Sequence, residues 1–598
     1  MKQIKESEIA MTIHETLCHG DSKQLISVAL GQEKADLAVI NANLVNVYTG
    51  EILSGCSVSC KGKWIAYTGH DPDHTIGPET LVIDAKGKTV IPGLIDGHAH
   101  LAWLFNISEF LKYAMKGGTT TIVTETLEVF PVAGYEGIAD FLDSLKDQPI
   151  KILATAPAMV STSKATFGIP KEILRKLLER NDIIGLGESY WQGVFQNLDI
   201  MVPLFEETLV AGKTLEGHSA GASGKKLAAY VAAGISSCHE PINAEQVLER
   251  LRMGIHVMAR EGSIRREIEE ISKIKDAGTD LRRLTLVTDG VEPEDLMEKG
   301  YMEFVVQKAI DSGFDPVAAV QMASLNVAEH FSLDGLIGGI APGKYADLVI
   351  IPDIRKIEAE CVISNGQVIY QNGELLSPPR EHVFAETSLK TVRIPKKLQP
   401  SDFAIPVEKG VSRAEVRVIE LITDLVTREE NMILAAVDGE IRSNVNQDIL
   451  KIAAIDRTHQ PGKTFVGLIK GFQLRTGAIA SSASWDTSDI IVIGAGNADM
   501  AAAVNRIYEL QGGAVVCVNG NILTELPLPV FGLISDKSME TISQGMKDIK
   551  HTVSELGVPF PDPLLTLVTL TGAAIPYLRI CEQGLVNLKH GKTLGLFV

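Results

Sequence analysis

The chain has 598 residues, with 56 Lys and Arg against 75 Asp and Glu, so its formal net charge is −19. That balance repels nucleic-acid backbones and anionic membranes, and the short Lys/Arg runs lie among acids, so no basic patch overrides it. A hydrophobic fraction of 45 % with 22 % charged residues excludes a wholly disordered chain, and at about 150 residues per domain the length predicts two to four domains.

Residues 1 to about 30 read as an amphipathic helical lead-in whose apolar stretches are broken by acids, so no secretory signal is expected. No run reaches the about 18 apolar residues of a membrane span. The seven scattered cysteines, Cys18, Cys56, Cys60, Cys238, Cys361, Cys517 and Cys581, form no close pair and fit free thiols in the cytoplasm.

From about residue 36 to 90, short apolar runs separated by Gly and Asn turns predict strands, and the pattern returns after 340 in GKYADLVIIPD and EAECVISNGQVIYQNGELL. These segments predict a small two-part β-sandwich domain built from residues 1–89 and 336–395 around an inserted unit. Between 90 and 335, apolar strands such as TTTIVTE, KILATAP, IIGLGES, KTLEGHS and LTLVTDG alternate with helical segments such as PKEILRKLLERN and NAEQVLERLRMG. Such units over that length predict an α/β fold, a (β/α)₈ TIM-like barrel, with an open doubly wound sheet as the alternative. A Pro-rich, charged connector follows, and residues 405–598 predict an additional α+β C-terminal domain. Its GAGNAD turn lacks the third glycine of a dinucleotide fingerprint, so no nicotinamide or flavin site is expected.

The sharpest motif is IPGLIDGHAHL, in which His98 and His100 are separated by one residue at the end of an apolar strand. Period-two geometry sends both imidazoles to one side, where they can converge on an ion at the barrel mouth. Four more candidates stand at the ends of successive strands: Glu188, His218, His239 and Asp289. Glu188 is read as bridging two cations, with His218 and His239 as neutral nitrogen ligands. A divalent pair about 3.5 to 4 Å apart lowers the pKa of a shared water, which makes water the nucleophile. Asp289 is also placed to take the proton from that water and pass it to a departing amine. The plainer alternatives are a helix N-cap for Asp289, a surface acid for Glu188 and hydrogen-bonded rim histidines.

With these motifs in place, the chain resembles the bacterial-type adenine deaminases of the amidohydrolase superfamily. GLIDGHAH resembles the paired-histidine motif, IGLGE carries a glutamate where many relatives use a carboxylated lysine, and EGH, HE and TD resemble the later ligand motifs. The likeness continues through REGS, AVQMASLNVAEHF, APGKYADLVI, IVIGAGNADM and LPLPVFGLISD, nearly the whole chain. It implies hydrolysis of adenine to hypoxanthine and ammonia, as in purine salvage, at a binuclear site of Mn, or else Fe, with Zn less favoured. It assigns metal binding to His98, His100, Glu188, His218, His239 and Asp289, and catalysis to Asp289, Glu188 and His239. The implied partners are a small purine base and water, without nucleic acid or membrane, and a homodimer is compatible with the family.

Several positions depart from the family pattern. Ala102 stands where a glutamate is usual, TETL replaces DPHE at Thr124 to Leu127, Gly290 follows Asp289 in place of a second aspartate, and WDTSD replaces an HDSHN-like stretch at Trp485 to Asp489. They keep open a modified 6-aminopurine or another cyclic amidine or amide as substrate, and a non-catalytic scaffold as the reading from another class. Trp103 and Trp485 are candidates to stack on a heterocycle or to serve the core. Arg260 and Glu261 are read as contacts to a base edge or a structural ion pair.

Overall fold

The computed structural model describes residues 19–598, so most of the helical lead-in read over residues 1–30 lies outside the described residues. The helix His19–Ala29 buries Leu25 and Val28 against Trp64 and Ala66. Strands Leu37–Asn46, Glu51–Lys61, Trp64–Gly69, Leu81–Asp84 and Thr89–Pro92 join Leu348–Ile351, Cys361–Ser364, Gln367–Gln371 and Glu374–Leu375 in one branched nine-stranded sheet. The two sides of the chain meet where Thr89–Pro92 runs antiparallel to Leu348–Ile351, with Val90 opposite Ile350. The hydrogen bonding is continuous rather than divided between two sheets. Register shifts along Leu37–Asn46 let that strand pair with Leu81–Asp84 at one end and Thr89–Pro92 at the other. The sheet thereby curls over a core of Val39, Val58, Ile65, Val90, Leu348 and Ile363.

Eight parallel strands follow in the inserted segment: β1 (Leu94–Ala99), β2 (Thr119–Thr124), β3 (Lys151–Ala156), β4 (Ile183–Tyr190), β5 (Thr214–His218), β6 (Ser237–Cys238), β7 (His256–Arg260) and β8 (Leu284–Val287). β1 to β5 form one sheet and β6 to β8 another. At one seam Ser236 N donates to Leu215 O at 2.9 Å, and at the other Ala99 bridges Asp289 in parallel. Every residue of β1, β2, β4 and β8 is buried, as parallel strands covered by helices on one face and filled by side chains on the other must be. The arrangement is a TIM-like α/β fold, and its strand ends define the mouth.

The C-terminal region builds a mixed nine-stranded sheet, and the strand Asp489–Gly494, helix Asn497–Leu510 and strand Gly513–Val518 succeed one another through the GAGNAD turn. Met500, Val504 and Ile507 of that helix pack on Ala453, Ile455, Val492 and Val515. This region lies against the mouth. Thr162 Oγ1 donates to Thr571 O and Ser161 Oγ to Asp486 O, each at 2.7 Å, and Leu104 N donates to Leu533 O at 2.9 Å. No described helix is long and apolar enough to cross a membrane.

Candidate metal centre

Asp96, His98 and His100 alternate along and just beyond β1, so their side chains share one face. Asp96 ties that strand to the next seam. Its carboxylate accepts from Thr288 Oγ1 at 2.5 Å and from His98 N at 3.1 Å. Asp289, two residues past β8, adopts φ 63° and exchanges backbone hydrogen bonds with the histidine segment: Asp289 N donates to His98 O at 3.0 Å, and His100 N to Asp289 O at 3.3 Å. The backbone thus turns the Asp289 side chain toward both imidazoles. The following helix, Pro293–Glu298, has its N-cap at Glu292, so Asp289 does not cap it.

All six residues read as ligands come together. His100 Nε2 lies 3.1 Å from Asp289 Oδ1 and 3.6 Å from Glu188 Oε1, His98 Nε2 lies 3.8 Å from Asp289 Oδ1, and His239 Nε2 lies 3.2 Å from Glu188 Oε2. The His98 and His239 rings stack at 4.1 Å, with His218 edge-on to His239 at 5.1 Å. Three overlapping triads have donor atoms within 4.8 Å of one another: His98, His100 and Asp289; His98, Glu188 and His239; and His218, His239 and Glu240.

Glu125, Glu128 and Glu240 join the cluster without a role assigned from the sequence, and Arg260 joins it with the two roles read for it. Glu240 Oε1 is 3.2 Å from His218 Nε2 and 3.5 Å from His239 Nε2. Glu125, just past β2, is 3.6 Å from His98 Nδ1 and accepts from Thr155 Oγ1 at 2.7 Å, while Glu128 hydrogen-bonds His100 Nδ1. Arg260 closes β7 with an ion pair to Glu240, contacts with Glu267 at 3.1 Å and a hydrogen bond to Asp289 Oδ2 at 3.2 Å, which resolves its role as an ion pair. The signal for Glu125, Glu240 and Arg260 was their place at or just past strand C-terminal ends; Glu128, four residues beyond its strand, had none. Glu261 instead accepts from the Ile268 amide, away from the cluster.

Burial and mutual proximity polarise the groups. Burial, with His239 and His100 beside it, pushes His98 down to about 3, so it is neutral, whereas burial of Glu188 is outweighed by His239, His218 and His100, which hold its carboxyl at about 2. Burial also disfavours the Asp289 carboxylate, yet His100 and Arg260 hold it well below the usual range. Against the opposing effect of burial, Glu128 and Asp289 hold His100 well above the usual imidazole range and Glu240 raises His218 to about 9; a divalent cation binds the ionised carboxylates directly and displaces such imidazole protons. His98 Nε2, which faces Asp289 across 3.8 Å, is moreover buried without a hydrogen-bond partner, as a nitrogen aimed at an ion would be. The residues present therefore fit a divalent metal.

The cluster floors a cavity of about 320 Å³. Tyr190, Gln246 and Ile264 of the barrel and Leu425, Val426, Trp485, Asp486 and Ile575 of the C-terminal region line it. Tyr190 Oη donates to Asp486 Oδ1 at 3.1 Å, and Ala573 N donates to Asp486 Oδ2 at 2.7 Å. Burial, reinforced by Glu188, raises the Asp486 carboxyl to about 7. A partly open chamber with apolar walls over a cation-binding floor suits hydrolysis of a small, uncharged molecule.

Comparison with known proteins places these observations in a family. The amidohydrolase family model matches residues 89–376, and the adenine deaminase C-terminal domain model matches residues 424–592. The chain is 33 % identical over 586 residues to an adenine deaminase of Clostridium botulinum (strain Langeland), covering 96 % of this chain and 98 % of that protein. It is 34 % identical over 586 residues to one of Moorella thermoacetica, and 36 % over 577 residues to one of Dehalococcoides mccartyi, with the same 96 % and 98 % coverage in each case.

Proposed function

From membership of the adenine deaminase family within the amidohydrolases, to which this chain belongs, we infer that it hydrolyses adenine to hypoxanthine and ammonia. The observation that carries this reading is similarity at 33–36 % identity along both regions, including the C-terminal one that covers the barrel mouth. The enzyme is a metal-dependent hydrolase. When bound, the divalent metal supplies a water acidic enough to attack at neutral pH.

His98, His100, Glu188, His218, His239 and Asp289 hold a binuclear centre in this reading, with Glu188 positioned between the imidazoles of His100 and His239. The family resemblance favours Mn first, then Fe, with Zn less favoured, and a donor set of imidazoles and carboxylates without thiolate is compatible with each. The C6 carbon of adenine is electron-poor, and attack on it makes a tetrahedral centre whose amine must gain a proton before it leaves. Asp289 accepts the proton of the attacking water and returns it to that amine. Arg260 and His100 keep its carboxylate ionised and oriented for the first transfer. Of the two arginines that line the chamber, Arg260 is already committed to Glu240, Glu267 and Asp289, which favours the free base over a nucleotide. The same reading divides the chain into a two-part β domain of residues 1–89 and 336–395, a closed (β/α)₈ barrel of 90–335 and an α+β domain of 405–598. It carries a cytoplasmic location, supported by six free, buried cysteines among the described residues, and a homodimer that avoids nucleic acid and membranes, as the acidic surface favours.

Ammonia release from a panel of purines by Mn-loaded protein tests this directly. Adenine should yield hypoxanthine and ammonia in equal amounts. Ammonia from another heterocycle but not from adenine would retain the hydrolytic reaction and remove adenine. Less than about one tightly held ion per two chains, with no activation by Mn, would defeat the binuclear centre.

A further inference from the structure

The loop that follows β7 lines the chamber with Ile264 and Arg265, and it is a hairpin fixed at several points. Glu261 and Arg266 form an antiparallel bridge across it, and Gly262 N donates to Arg265 O at 2.9 Å. Ser263 ties its tip to the loop after β8: its N donates to Gly290 O and its Oγ accepts from Glu292 N, each at 2.8 Å, while the same Oγ donates to Asp295 Oδ2 at 2.7 Å. The arginines on either side of this tip have partners. Arg260 pairs with Glu240, Glu267 and Asp289, and Arg266 donates to Gly262 O at 3.1 Å and pairs with Asp295. Arg265 differs from both: its side chain is exposed, lines the chamber, and makes no hydrogen bond or ion pair among the described residues. Glu267, the acid that feels its charge, already accepts from Arg260 through both oxygens at 3.1 Å. Beyond the adjacent strand, β6, Gln246 lines the chamber too. Its Oε1 accepts from Ile242 N at 3.2 Å, which leaves its Nε2 as a second donor without an acceptor among the described residues.

We propose that Arg265 is a specificity-determining residue whose guanidinium donates to N3 of the bound purine, on the edge remote from the reacting carbon. The proposal rests on the adenine reading and deepens it. The metal cluster floors the chamber, so C6, where water attacks, must lie against that floor. N3 stands directly opposite C6 across the six-membered ring, so the edge that carries N3 and N9 points away from the floor. Arg265, being exposed, belongs to the open rim where that edge emerges. N3 is an acceptor, and a guanidinium has five N–H donors and no acceptor. Hydrogen bonds from a charged donor are roughly twice as strong as neutral ones, so a single contact at the rim discriminates between ligands. A ribose on N9 would occupy the same space, and the contact therefore also favours the free base over a nucleoside.

The test is a thermodynamic cycle between one side chain and one ring atom. The KM for adenine and the inhibition constants of 3-deaza- and 7-deazaadenine are measured on Mn-loaded wild type and Arg265→Met, which keeps an unbranched apolar stem and removes every donor. The wild type should bind 3-deazaadenine about 10-fold or more weakly than 7-deazaadenine. Arg265→Met should weaken adenine and 7-deazaadenine by about 10-fold and leave 3-deazaadenine within about twofold of its wild-type value. Equal losses for all three ligands would reduce Arg265 to a general attraction, and no loss would leave it to solvent; either overturns the proposal while leaving adenine deamination standing. Loss confined to adenine and 3-deazaadenine places the guanidinium at N7 and overturns it as well. So does ammonia release from adenosine monophosphate that Arg265→Met abolishes, because the guanidinium then serves a phosphate. Truncating an exposed side chain leaves the core intact, and should Arg265→Met still misfold, the wild-type preference between the two analogues decides alone. A Mn-loaded wild type that releases no ammonia from adenine takes down the functional reading, and the proposal with it.

Discussion

Replacing Asp289 by Asn separates proton transfer from metal binding. The carboxylate touches two donors, with Oδ1 3.1 Å from His100 Nε2 and Oδ2 3.2 Å from Arg260 Nη1. The amide has the same shape but one oxygen, so one of its faces turns an NH₂ toward a group that also donates. That mismatch costs about 1–3 kcal/mol, and it is tolerable because Arg260 keeps Glu240 and Glu267 as partners. The amide cannot accept the water's proton, and loss of a general base slows turnover by about 10²- to 10⁴-fold. We therefore expect kcat for adenine to fall at least about 100-fold while the other five donors retain metal. Ammonia release, metal content by mass spectrometry and thermal unfolding would be measured on one preparation. Turnover within about threefold of wild type, at equal metal content, would refute Asp289 as the proton carrier. A loss of activity that parallels loss of metal would reduce its role to ligation.

Glu128→Gln removes the charge that hydrogen-bonds His100 Nδ1, and metal affinity should fall about 10- to 100-fold in a competition assay with a fluorescent chelator. Gly532→Ala should destabilise the protein by about 1–3 kcal/mol in urea unfolding: the new methyl would stand 2.5 Å from the buried Arg457 guanidinium, at a backbone φ of +69°. Glu292 is raised to about 8 by burial and by Asp562 beside it, so the folded state binds a proton that the unfolded chain has released. Its contribution therefore diminishes as pH rises from about 4.5 through 8, and Glu292→Gln should flatten the decline of stability between pH 6 and 9 by an amount on the order of 1 kcal/mol. An unchanged pH profile of unfolding would show that Lys550, 2.7 Å away, already compensates the charge.

Much of the cluster was legible in the chain because its candidate ligands obey a local rule. In a parallel barrel, strand C-termini face one mouth, so a polar residue that closes an apolar run belongs to the site. His98, Glu188, His218, His239 and Asp289 all follow that pattern, and period two adds His100. The family resemblance rests on the same short motifs. Glu125 and Glu240 obeyed the rule as well, yet nothing local distinguishes a carboxylate that faces a cation from one that faces water.

The remaining features depend on contacts between distant parts of the chain. Whether Arg260 met a base edge or an acid was open until β7 was placed beside Asp289 and Glu240. The curling of the first sheet depends on register shifts in one strand, which no periodicity announces. Asp486 reaches Tyr190 across 296 positions, and Leu533 fixes the backbone beside Trp103 from more than 400 positions away. The sequence by itself determined the α/β class, through strands alternating with helices, and singled out the six candidate ligands by their places at strand ends. Only the tertiary structure decided how the chamber is walled and which acids and arginine surround the histidines, because those depend on packing between segments that carry no record of one another.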